Sequence, residues 1–130
     1  MNTELTLLAA SIVLGIVHIV IVSHLASAER GYRWTASDRA APVAPLTGLA
    51  GRTERALRNY LETFPFFAAA VLAAAVAGKH GALTIWGAQL YLFGRIAYAL
   101  LYAANFPLAR SLMWNVPTAG ILMIVVGLFR

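Results

Sequence analysis

Four long apolar runs constrain this chain more than any other feature. Leu5 to Ala26 is interrupted only by Thr6, Ser11, His18, Ser23 and His24, and Glu54 to Ala77, Ala82 to Ala104 and Ser111 to Phe129 follow. Each approaches or exceeds the ~20 residues a helix needs to cross a hydrocarbon core of ~30 Å. In hydrocarbon the backbone must satisfy its own hydrogen bonds, so only helices and closed barrels span, and these runs lack a barrel's period-two alternation. A mean hydropathy of +0.75 is far too apolar for a soluble domain of 130 residues. The sequence predicts an all-α integral membrane protein with one domain over 1–130. Its helices fall near 5–27, 54–77, 82–104 and 111–129 and pack as an antiparallel up-down four-helix bundle.

Met1-Asn2-Thr3-Glu4 has no basic side chain and the run behind it is long, so the first helix reads as retained rather than as a cleaved signal. The net charge of +5 would suit nucleic acid only on a soluble basic face, which this composition does not provide. Its placement has another meaning. Arg30, Arg33, Arg39 and Arg52 lie between the first two helices and Arg110 between the last two, against Lys79 and Arg130 on the other side. The positive-inside rule then puts the Glu29–Arg52 loop in the cytoplasm and both termini outside. Pro42 and Pro45 keep that loop from forming a continuous helix, Thr53 is the expected N-cap of the second helix, and Pro65 is expected to loosen it. With no cysteine, any thiol chemistry must use a thiol that arrives with a ligand.

Polar residues within the apolar runs carry the functional signal. At 100° per residue, Arg55, Arg58, Asn59 and Glu62 fall within an arc of about 100° on the second helix. Topology can account for the two arginines as anchors, but not for Asn59 and Glu62 one turn deeper. On the third helix, Tyr91, Arg95, Tyr98 and Tyr102 share an arc of about 60°. Arg95 is the most deeply placed cation, and an ion pair with Glu62 is its expected compensation. His18 and His24 stand about 120° apart, poor geometry for a shared metal, and both read as hydrogen-bonded interface or headgroup residues. His80 reads as solvated in the outer turn, and Trp34, Trp86 and Trp114 as interface anchors.

Arg55-x-x-x-Asn59-x-x-Glu62 followed by Phe64-Pro65-Phe66-Phe67 resembles a signature of the MAPEG superfamily, the membrane-associated proteins in eicosanoid and glutathione metabolism. Arg95-x-x-Tyr98-x-x-x-Tyr102 resembles the family's third-helix signature, with Tyr98 where some members hold His, and Arg110-Ser111 resembles the pair that opens the fourth helix. The resemblance covers the whole chain and is nearest to small bacterial members. It implies a homotrimer, a bacterial inner-membrane location, and glutathione bound between subunits near the cytoplasmic leaflet. Arg55, Arg58, Asn59, Glu62, Arg95, Tyr98 and Tyr102 would line that site, with Arg30 or Arg33 reaching it from the end of the first helix. Arg110 would face the sulfur and Ser111 would donate a hydrogen bond to it. The implied activity is a glutathione-dependent transferase or peroxidase acting on apolar electrophiles or lipid hydroperoxides. The alternative is a non-catalytic four-helix membrane protein, a small transporter or a scaffold. Small multidrug exporters rely on a glutamate in their first helix, and this chain has no carboxylate between Leu5 and Ala28.

Overall fold

The structure is a computed structural model that describes residues Met1–Arg130. The chain is all-helical: α1 (Thr3–Arg30), α2 (Tyr32–Ala36), α3 (Gly48–Val76), α4 (Ala82–Ala103), α5 (Pro107–Met113) and α6 (Asn115–Leu128). Three segments are long and apolar enough to cross a membrane: α1, α3, and the Pro107–Leu128 stretch formed by α5 and α6 around Trp114. The expected fourth, α4, has 22 residues and hence the length. It is not among the three, and Gln89, Arg95 and its tyrosines interrupt its apolar surface.

Local chemistry sets the ends. Asn2 Oδ1 accepts the Leu5 N–H and opens α1, and Gly31 closes it at φ 96°, where a side chain would be strained. The last helical residue is thus Arg30 rather than Ser27. α3 begins at Gly48, well before Thr53. Thr47 stands at the N-cap position, but its backbone N–H and hydroxyl both donate to the Glu29 carboxylate, which ties the loop back to α1. Thr53 lies inside α3, its hydroxyl donating to the Leu49 and Ala50 carbonyls. Gly51 permits the early start, because the Leu46 carbonyl oxygen lies 2.6 Å from where a Cβ would stand. α3 continues through Pro65 as one helix. It ends in a Schellman turn: Gly78 takes φ 66°, and Lys79 N–H donates to the Ala74 carbonyl. Asn105, at φ 64°, ends α4 in the same way, and Pro107 starts α5 one turn before Arg110.

Cross-helix contacts give the directions. Ser11 meets Tyr60 and His18 meets Thr53, so α1 and α3 are antiparallel; Thr63–Tyr91 and Asn59–Arg95 show the same for α3 and α4. Phe67 stacks on Tyr91 with ring centroids 3.9 Å apart, beside Tyr60, Val71, Ala88 and Ile124 in the core. α4 and α6 approach most closely. A Cβ on Gly87 would fall 2.5 Å from the Gly120 carbonyl oxygen, and one on Gly94 would fall 2.8 Å from the Pro117 ring. The C-terminal end of α1, the N-terminal end of α3, the C-terminal end of α4 and all of α5 therefore lie together.

Candidate functional site

That shared end gathers the polar stripes of α3 and α4. Arg95 is 1% exposed, and its Nη1 donates to Asn59 Oδ1 at 2.8 Å. Its guanidinium stands 4.5 Å from the centroid of the Tyr98 ring and 5.4 Å from that of Tyr60, so two aromatic faces share its charge. The Arg95 Nε is buried and without a partner. No ion pair joins Arg95 to Glu62, contrary to the sequence expectation; Arg58–Glu54 at 3.6 Å and His80–Glu4 at 2.8 Å are the ion pairs present. The helical period explains the difference. Glu62 is about 60° from Asn59 around α3, so when Asn59 faces α4 the carboxylate is turned away. It is exposed instead, on a cavity of about 520 Å³ between α3 and α6 that Asn59, Phe66, Trp114 and Ile121 also line.

A second cluster lies nearer the helix ends. Arg55 Nε donates to the Tyr102 hydroxyl at 3.2 Å, and the Arg110 guanidinium sits 4.1 Å from the centroid of the Tyr102 ring. Tyr102 packs edge-on against Tyr98, so one aromatic pair connects Arg95, Arg55 and Arg110. Arg110 has no carboxylate partner and stays available to an anion. The other expected residues stand apart. Arg58 points outward, 67% exposed. The exposed Ser111 hydroxyl donates to the Pro107 carbonyl, as serine often does inside a helix. Arg30 covers the Trp34 ring at 5.3 Å and donates to the Ala44 carbonyl, whereas Arg33 is exposed.

Sequence reasoning missed Tyr60 as the second ring under Arg95, and Trp114 and Phe66 as cavity walls. Tyr60 follows Asn59 directly, but nothing in the spacing shows that its ring turns toward Arg95. His80 is also corrected. It is not merely solvated: its Nδ1 meets both oxygens of the buried Glu4 carboxylate at 2.8 Å, and Thr84 donates to the same carboxylate.

In chemical terms, this end offers several guanidinium groups and aromatic faces beside an apolar cavity, with the exposed Glu62 carboxylate on that cavity. That set suits a small zwitterion with more negative than positive groups. Neither a curated protein nor a solved structure matches the chain. The sequence model of the MAPEG family matches residues 7–130, nearly the full length. The chain belongs to the MAPEG family.

Proposed function

We propose that this protein binds glutathione at the α3–α4–α5 end and uses it as a membrane-bound transferase or peroxidase on apolar electrophiles or lipid hydroperoxides. Members of the family generally use glutathione, and they include transferases, peroxidases and non-catalytic proteins. The observation that carries the reading is the arrangement of arginines about Tyr98 and Tyr102, with the Arg95 Nε buried and without a partner. Glutathione has two carboxylates, one ammonium and one thiol. Arg55 and, once it swings in from solvent, Arg58 suit the carboxylates, the buried Arg95 holds Asn59 and Tyr98 in place behind them, and the exposed Glu62 suits the ammonium. Arg110 favours the thiolate form of a nearby thiol, because a cation lowers a thiol pKa. Glutathione supplies the nucleophile, and the cavity walled by Phe66, Trp114 and Ile121 supplies an apolar surface beside it.

The reading includes a homotrimer of four-span subunits in a bacterial inner membrane, with the Arg-rich end cytoplasmic. In that assembly Arg30 reaches the ligand of a neighbouring subunit. Support comes from the uneven distribution of arginine and from the number of site residues that one chain leaves exposed. The alternative is a non-catalytic member that kept the fold, and Ser111 reaches a ligand sulfur only by turning its hydroxyl away from the Pro107 carbonyl. Calorimetric titration of glutathione into detergent-purified protein tests the proposal. Glu62→Gln and Arg58→Ala should each weaken binding about tenfold or more, the scale of one charge-assisted hydrogen bond. Unchanged affinity in both variants would remove this stripe from the site.

A further inference from the structure

A second groove lies away from these residues, between α1, α3 and α4. It encloses about 330 Å³ and is walled by Leu14, Ile21, Leu25, Leu49, Ile96 and Leu100. On α4 its face is centred about 120° around the helix from the Tyr91–Tyr102 stripe. Between Leu14 and Leu25 it follows α1 for about 16 Å at 1.5 Å per residue. Its only polar lining residues are His18 and Thr53, and no charged side chain reaches it.

Those two residues give the groove a chemical preference. His18 is only 9% exposed, and its Nε2 lies 3.1 Å from the Thr53 carbonyl oxygen. A carbonyl only accepts, so Nε2 carries the proton and the Nδ1 of a neutral imidazole keeps a bare lone pair. His18 makes no other hydrogen bond, and Nδ1 is not among the sealed, unpartnered atoms of the interior. The Thr53 hydroxyl has already given its proton to the Leu49 and Ala50 carbonyls. The groove therefore offers hydrogen-bond acceptors and no free donor. An ether, ester or ketone has no proton to give. A carboxylate or phosphate would lose its hydration with no cation to receive it.

We propose that this groove is a binding site for an apolar, bilayer-dissolved molecule carrying one hydroxyl group, which donates to His18 Nδ1. This inference is independent of the glutathione reading. A hydroxyl in hydrocarbon lacks water to bond with, so an acceptor at that depth gives it a specific reason to stay.

The test uses the full chain in phosphatidylcholine nanodiscs, whose lipid carries no hydroxyl donor, with 1-hexadecanol and its methyl ether as probes. The alcohol should raise the unfolding midpoint saturably, as a ligand of the folded state does, and the ether should not. In His18→Phe the two probes should become equal. In the wild type, the alcohol should shift the ¹⁵N resonance of His18 Nδ1 and the ether should leave it unmoved. That readout decides the question even if His18→Phe fails to assemble. Equal effects of alcohol and ether on the wild type, or an unmoved Nδ1 resonance with the alcohol, would overturn the proposal.

Discussion

Arg95 concentrates the physics of this protein at the residue scale. A cation in a helix interior is costly, and here one amide oxygen and two aromatic rings compensate it without a carboxylate. Asn59→Ala removes the hydrogen bond and leaves the charge in place. It should destabilise the protein by about 1.5–3 kcal/mol, read as a lower unfolding midpoint in detergent. Asn59→Asp, which pairs the charge, should cost less; the opposite ranking would contradict the assigned partner. Arg110 makes the matching case for chemistry. Under the proposed function, Arg110→Ala should lower conjugation of an apolar aryl halide by roughly two to three orders of magnitude. The loss should appear in kcat and kcat/KM alike, because the interaction belongs to the transition state. Near-normal turnover would make Arg110 an anchor only. The polar stripes were legible from 100° periodicity, but the partner of Arg95 was not. The period puts Asn59 and Glu62 within about 60° of each other, and only the rotation of α3 against α4 selects one.

Elements meet through features that sequence signals only weakly. α3 is crowded with small residues (Ala68, Ala69, Ala70, Ala73, Ala74 and Ala75), yet the tightest approach is between α4 and α6, at Gly87 and Gly120. The Gly87 Cβ would meet backbone, which cannot swing aside. Gly87→Ala should therefore cost at least the 1–3 kcal/mol typical of an overpacked core, while Gly81→Ala, with open space around it, should cost far less. Thermal unfolding of the two variants checks the contrast. The Glu4–His80–Thr84 cluster had no sequence signal, since its contacts span 76 and 80 residues and depend on the start of α1 lying beside the start of α4. His80→Ala takes one of its two side-chain partners from a buried carboxylate and leaves only Thr84, whereas Glu4→Gln keeps the shape and removes the charge. The first should therefore lower the unfolding midpoint more than the second. Helix existence was readable from the apolar runs. The early start of α3 was not, because Gly48 and Gly51 read as loop while the buried Leu46 and Ala50 hold that turn in place.

On the scale of the whole molecule, the directions of the helices collect the basic residues at one end. Arg30, Arg52, Arg55 and Arg110 stand near the α1–α3 loop and α5, and Lys79 and Arg130 at the opposite end. The chain has no cysteine, so labelling has no background. If the Arg-rich end is cytoplasmic, a cysteine at Ala44 should resist impermeant thiol reagents on intact cells and one at Ala82 should react. The reverse pattern would move the candidate site to the other leaflet. The proposed trimer predicts three chains per particle in native mass spectrometry; a monomer that still binds glutathione would rule out a shared site. Under the proposed function, this arginine cluster holds glutathione as its thiolate. Ultraviolet thiolate absorbance during titration of glutathione into the detergent-purified protein at neutral pH measures it directly. Absorbance should rise saturably in the wild type and stay flat in Arg110→Ala; no rise, or an equal rise in the variant, would rule out thiolate capture by this cluster.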